Sequence, residues 1–407
     1  MRNKKLCRLC GANTNEIINL GTSPVANNFI KNRNENFNEY NLIISYCLKC
    51  HNIQLNDILS PNKLYLNYTY LTPDVNLLSK HYDRVTNFLL KNKYIDSSTK
   101  VLEVGSNTGF FLKNINAYVK HILGIDPAKN IAKLANKNNI PTIADFFNLN
   151  TAKKIKDKYG NKNFIIARHM FAHNPFPQDL IKGFDYLLNK KGLIFIENAY
   201  VIPTLKNGEF DQIYHEHMFY YSISSIDNLF NKFSFEIINI KKSLVHGGTM
   251  CFIIARKGQF FKHKIVSEYK KTEIRHFNDF NIFKKFRKNT INLKENILKI
   301  INLEKKKKRK IAAYGASAKA FTMFAFLELD EKTIKYCIDT TSTKIGKLFP
   351  KFNIKVISET QHLSNPADTF LITSWNYKKH IIAKKDKLFK KGNTLIFPLP
   401  NFEIIHV

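Results

Sequence analysis

The sequence has 407 residues, with 64 Lys+Arg against 32 Asp+Glu for a net charge of +32, and is 44% hydrophobic and 13% aromatic. At about 150 residues per domain this means two or three domains with enough apolar area to offset ordering entropy, which excludes a disordered polybasic tail. No run reaches the roughly 18 apolar residues of a membrane span, and the leading segment lacks the apolar stretch of a secretory signal, so a cytoplasmic chain without membrane contact is expected. The lysine excess is spread along the chain beside Asn, Ile and Phe. It reads as solvated faces rather than a nucleic-acid or membrane patch, and it favours an anionic substrate.

In chain order, residues 1–75 are expected to form a zinc-binding module. Cys7-Arg8-Leu9-Cys10 and Cys47-Leu48-Lys49-Cys50 are two CxxC knuckles, which in a reducing compartment place four thiolates around a Zn²⁺ ion. With all four positions taken by protein, such a site is structural rather than hydrolytic. Cys251 and Cys337 lie in apolar runs and are expected in the core. Residues 76–258 alternate short apolar runs (100–105, 121–126, 164–170, 192–198, 250–256) with helical stretches, an α/β pattern. Residues 259–309 have helical periodicity and are expected to link to a second, smaller α/β domain over 310–407. There is no internal repeat.

The first chemical motif runs from Val101 to Gly109 as a strand, a glycine-bearing turn and a helix, with Glu103, Gly105, Ser106, Asn107 and Gly109 in an ExGxxxG pattern. Glycines let the backbone approach a ligand, Asp126 after the next strand is placed to accept hydrogen bonds from ribose hydroxyls, and another carboxylate, Asp145, follows a third expected strand. The looser turn, without GxGxxG, fits adenosyl recognition and points to S-adenosylmethionine (SAM) as cofactor. The second motif is Phe210-Asp211-Gln212-Ile213-Tyr214-His215-Glu216-His217, followed by Phe219, Tyr220 and Tyr221. Tyr214, Glu216 and His217 supply a phenol, a carboxylate and an imidazole, a general acid–base set. Zinc ligation here is excluded because HEH lacks the HExxH spacing. His173 follows the strand at 164–170, near a ligand crevice. Gly315-Ala316-Ser317-Ala318-Lys319 opens a helix after a strand, where backbone amides with Ser317 and Lys319 can hold phosphate.

These segments, together with Val245-His246-Gly247-Gly248, resemble the sugar C-methyltransferase family that acts on nucleotide-linked keto-deoxysugars, over essentially the full chain. The resemblance implies a class I SAM-dependent methyltransferase core, Rossmann-like, between the zinc module and a carboxy-terminal Rossmann-like domain, with the substrate between them. It implies His217 as general base, Glu216 as its orienter or as an aid to enolisation, and Tyr214 with either Tyr68 or Tyr70 as donors to an enolate oxygen. His173 matches an active-site position, and His246 and Gly247 fall in a substrate-binding segment. The implied substrate is a nucleoside-diphosphate keto-deoxysugar, taken by a monomer or homodimer. Two departures stand out. Thr108 replaces an Asp often found in the family's turn, and Asp339-Thr340-Thr341-Ser342-Thr343-Lys344-Ile345-Gly346 lacks the usual Asn-Pro. The alternatives are methylation of a sugar hydroxyl on the same fold, and a zinc-containing nucleic-acid binder. The latter is disfavoured because aromatics are not interleaved with basic residues as a stacking platform requires.

Overall fold

The computed structural model describes residues 6–65, 76–243 and 245–407. The amino-terminal module contributes strands β1 (Thr14–Pro24), β2 (Glu39–Cys47) and β3 (Ile53–Leu55). The central region contributes β4 (Lys100–Val104), β5 (His121–Asp126), β6 (Thr142–Ala144), β7 (Lys162–Arg168), β8 (Leu188–Ala199), β9 (Phe219–Tyr220), β10 (Phe235–Ser243) and β11 (Thr249–Arg256). The carboxy-terminal region contributes β12 (Ile311–Tyr314), β13 (Cys337–Ile338), β14 (Val356–Ile357), β15 (Thr369–Ile372), β16 (Thr394–Phe397) and β17 (Glu403–His406).

The central sheet has the order β10-β11-β8-β7-β4-β5-β6. Its strands from β8 to β6 are parallel, while β11 runs antiparallel to β8 and β10 to β11. This is the class I methyltransferase arrangement that the resemblance implies. The parallel strands carry near-continuous apolar runs because helices cover both faces; in β7 only Asn163 is not buried. Two of the covering helices begin on capping boxes, Asn148 with Thr151 and Ser222 with Ser225, where side-chain oxygens satisfy otherwise orphaned backbone N–H groups. The strand β10 escapes the simple reading of the sequence. A bulge between Ile237 and Asn239 breaks its alternation, and its end is charged.

The amino-terminal sheet has the order β1-β2-β3-β9, so the zinc module's last strand position is filled from the central region, directly after the Tyr-His-Glu-His segment. The stretch 259–309 folds as two helices, Lys264–Asn278 and Asn281–Lys306, broken at Phe280, whose φ is 52°. In the longer helix Ile282, Phe286, Leu293, Ile297 and Ile301 form a buried stripe at helical spacing. That stripe packs toward β1 and helix Val201–Lys206, and Arg287 donates to the Ile17 carbonyl at 2.7 Å. The segment is therefore a strut rather than a loose tether. The carboxy-terminal sheet, β14-β13-β12-β15-β16-β17, is parallel except for β17. One apolar core runs through all three regions and a second fills the other face of the central sheet. Cys251 and Cys337 lie inside. Among the described residues no helix is long and apolar enough to cross a membrane.

Candidate active site

The carboxy-terminal ends of the parallel strands open into a cavity of about 380 Å³ that residues of all three regions line. Its first end is built on the β4 turn. Gly105 has φ +69°, and a Cβ there would lie 2.7 Å from Met170 Cβ; at Gly109, φ +74°, it would lie 2.4 Å from Ile140 Cγ2. Only glycine fits either place. The turn is tied to β5 because Asp126 accepts from the Asn107 N–H at 2.9 Å and the Ala128 N–H at 3.0 Å. Burial raises the Asp126 carboxyl against those two donors. Glu103, Gly105, Ser106, Asn107, Asp126 and Asp145 all line the cavity; Gly109 shapes the turn from outside the lining.

Beneath this end lies a buried charge network. Arg168 holds Glu197 at 2.8 Å and approaches Glu103 at 3.7 Å, while its guanidinium stacks on Tyr82 and Phe111. His81 hydrogen-bonds the other Glu197 oxygen at 2.6 Å. Burial pushes both carboxyls up. Glu197 is held well below the usual range by Arg168 and by hydrogen bonds from histidines, whereas Glu103 rises to about 8 because Arg168 only partly offsets its burial. Among the described residues, Glu103 Oε2 and Ser106 Oγ are buried without a hydrogen-bond partner. Two unspent polar atoms, on a carboxyl that keeps its proton near neutral pH and on a hydroxyl, lie beside a close-approach glycine and suit an adenosyl ligand whose hydroxyls both donate and accept, so these residues fit SAM.

The second end is the segment 210–221. The His217 Nδ1–H donates to the Gln212 carbonyl at 2.9 Å, which leaves Nε2 as the acceptor of the Tyr214 hydroxyl at 2.7 Å. Burial, reinforced by the neighbouring His173, pushes His217 well below the ordinary histidine value. The rings of His173 and His217 are 5.1 Å apart, and burial brings His173 down to about 3. Glu216 accepts from Asn27 Nδ2 at 2.9 Å, and the His215 Nε2–H donates to the Tyr40 carbonyl at 3.2 Å. Two other regions grip this segment. From the zinc module, Arg8 donates to the carbonyls of Leu55 and Met218 at 2.6 and 3.1 Å. From the carboxy-terminal region, Thr322 donates to the Ile213 carbonyl and Trp375 Nε1 to Asp211, each at 2.6 Å.

At the third end Lys319 sits over the Trp375 ring at 3.9 Å. Burial lowers its pKa against the pull of Asp211 and Glu209, and among the described residues neither Lys319 Nζ nor Ser317 Oγ has a hydrogen-bond partner. Both residues line the cavity. Gly247 is not in the lining; with φ +89°, it packs against Glu209 and Gln212, where a Cβ would meet Glu209 Oε2 at 2.9 Å. Tyr68 and Tyr70 lie outside the described residues, as does the side chain of His246. The sequence reading passed over Tyr65, which lines the cavity, reaches toward the His173 carbonyl at 3.4 Å and stacks on the His173 ring. It also passed over Asn198 and Asn27, both in the lining.

The four knuckle thiols lie within 4.8 Å of one another, and the Asn52 amide donates to Cys7 Sγ at 3.6 Å. A set of four soft sulfur donors with an N–H bond to one of them fits a structural Zn²⁺. None of these cysteines lines the cavity.

Family models match the chain in three consecutive stretches: a zinc binding domain over residues 7–65, a methyltransferase domain over 77–240 and a C-methyltransferase C-terminal domain over 244–400. C-methyltransferase NovU of Streptomyces niveus is 27% identical over 406 residues, 98% of this chain and 96% of that one. The uncharacterized methyltransferase OB1106 of Oceanobacillus iheyensis is 25% identical over 175 residues, 39% of this chain and 77% of that one. Among solved structures, magnesium protoporphyrin IX methyltransferase from Synechocystis PCC 6803 with bound SAH aligns with 46% of this chain and 91% of that one, at 12% identity and a TM-score of 0.36.

Proposed function

The chain belongs to the C-methyltransferase family whose three modules it carries in order, and from that premise we propose that this SAM-dependent enzyme methylates the carbon beside the ketone of a nucleoside-diphosphate keto-deoxysugar. The observation that carries the reading is His217, a neutral buried imidazole with a fixed tautomer in the cavity that also holds the glycine turn. Carbon is a poor nucleophile until a base removes its proton, and a base kept free of protons by burial suits that task.

A substrate that displaces the Tyr214 hydroxyl from Nε2 leaves Nε2 to take the proton from carbon. The freed phenol then donates to the ketone oxygen as negative charge develops there, a preorganised donor of the oxyanion-hole kind. Glu216, anchored by Asn27, orients the segment, and Tyr65 with His173 walls the other side. Bound SAM supplies an electrophilic methyl group; Glu103, Gly105, Ser106, Asn107, Asp126 and Asp145 would hold it, with Gly109 closing the turn. Ser317 and Lys319 are assigned to the diphosphate, where unpartnered donors meet an anion. Gly247 and His246 belong to the loop behind that end. The four thiols hold zinc only where they stay reduced, which favours the cytoplasm.

The test is exchange of the proton beside the ketone with deuterium oxide, in the presence of SAH and a dTDP-linked 4-keto-6-deoxyhexose. Wild type exchanges; His217→Asn does not, while its SAH affinity is unchanged. Exchange at the wild-type rate in His217→Asn would remove His217 as the base.

A further inference from the structure

Asn198, next to last in β8, has 1% of its surface exposed and lines the cavity, yet neither Oδ1 nor Nδ2 has a hydrogen-bond partner among the described residues. A buried primary amide with both ends unspent is rare, because its desolvation goes uncompensated. The residue is not free to turn elsewhere. Its predecessor Glu197 is fixed by His81 and Arg168, and the Glu197 carbonyl accepts from the His169 N–H at 2.7 Å. On the other flank β11 pairs Met250 with Asn198.

Position separates Asn198 from the other unpartnered polar atoms of the cavity. Glu103 Oε2 and Ser106 Oγ lie on β4 and its turn, at the cofactor end, Ser317 Oγ and Lys319 Nζ come from the carboxy-terminal region, and Tyr220 Oη belongs to β9, beside His217. Between β4 and β8 lies β7, so Asn198 is two strand spacings, roughly 10 Å, across the sheet from the glycine turn. His169 and His173, which follow β7, lie toward its side of the sheet. Asn198 is thus at the substrate end, and its amide offers one donor group and one acceptor.

We propose that Asn198 is a substrate-binding residue that reads a ketone and the hydroxyl on the adjacent carbon: Nδ2 donates to the ketone oxygen, and Oδ1 accepts from the hydroxyl. The inference rests on the keto-sugar reading above and adds to it the substrate feature recognised, an α-hydroxyketone. When His217 takes the carbon proton, the electron pair moves onto the oxygen that Nδ2 already faces, so the same contact strengthens as the enolate forms.

The experiment compares wild type, Asn198→Ala and the near-isosteric Asn198→Asp. Two probes are used with SAH bound, a dTDP-linked 4-keto-6-deoxyhexose and its 3-deoxy analogue, which lacks the hydroxyl beside the ketone. Both variants keep SAH affinity within about twofold and lose at least about tenfold in deuterium exchange, a tenfold change being one missing interaction's worth. Deleting the hydroxyl weakens binding to wild type but not to Asn198→Ala, a coupling that a merely structural role would not produce. If Asn198→Ala does not fold, the similarly sized Asn198→Leu, which lacks both donor and acceptor, takes its place in the hydroxyl comparison, since Asn198→Asp keeps an acceptor and tests only the donor. Exchange at the wild-type rate in the variants, or an equal penalty for the 3-deoxy probe in wild type and variant, overturns the inference while leaving the keto-sugar reading in place. Wild type that binds SAH but neither probe sinks that reading and this inference together.

Discussion

At the scale of single residues, protonation is set by burial. His217 is pushed well below the usual histidine value and His173 to about 3, so both imidazoles are neutral where an exposed histidine is half protonated, near pH 6.5. The acid limb of a kcat–pH profile therefore falls below the ordinary histidine value, and a limb at that value would contradict the assignment of His217. The same depressed values make the unfolded chain bind more protons below about pH 6.5, so folding stability declines as pH falls through that range. Asp126 acts locally as well. Asp126→Ala strands the backbone N–H groups of Asn107 and Ala128, each worth about 1–3 kcal/mol when buried and unpaired, and should lower SAH affinity at least about tenfold by calorimetry. Unchanged affinity would mean that the turn does not touch the cofactor. Single residues were unevenly legible in the sequence. His217 and Tyr214 advertise themselves by clustering, whereas Asn198 reads as an ordinary polar stop at the end of an apolar strand. Tyr65 was overshadowed by the nearby Asn67-Tyr68-Thr69-Tyr70 run, and only packing against His173 singles it out.

At the scale of elements, the segment 210–221 is a shared part. The strand β9, two residues beyond His217, completes the zinc module's sheet, and Arg8 bridges β3 to Met218 from within the first cysteine knuckle. Arg8→Ala removes a donor from the Leu55 carbonyl and one of two from the Met218 carbonyl, which also accepts from the Leu55 N–H at 3.0 Å. It is expected to lower thermal stability and to reduce kcat more than it changes SAH affinity, with zinc content unaltered; a variant with wild-type kcat would show that the segment needs no such brace. This coupling is invisible in sequence, because a two-residue strand has no periodicity and its partner Ile53–Leu55 lies far back in the chain. The glycine turn, by contrast, is legible, since Gly105 and Gly109 mark the positive φ values that the structure contains. The helical stretch 259–309 was legible as helix but not as a strut, since burial of its stripe depends on β1 and on helix Val201–Lys206.

At the scale of the whole molecule, three regions converge on one cavity, and each supplies a different need: the central sheet the cofactor end, the amino-terminal module the brace, the carboxy-terminal region Lys319 and Trp375. Removing zinc with a chelator should unfold the brace first, because four uncoordinated thiols no longer hold the knuckles together. The expectation is loss of deuterium exchange with SAH binding largely retained, since the cofactor end is built on β4 to β6; simultaneous loss of both would mean that the modules fold as one unit. The alternation of strands and helices made the α/β class legible, as did the paired CxxC knuckles, while the convergence of modules was not, since it depends on long-range contacts that no local pattern encodes. The most direct test of the central claim is to supply SAM labelled with carbon-13 in its methyl group together with the nucleotide-linked keto-deoxysugar and to read the product by NMR. The account predicts a labelled methyl bonded to carbon next to the ketone position; a labelled methoxy group would contradict it and make His217 a base for a hydroxyl.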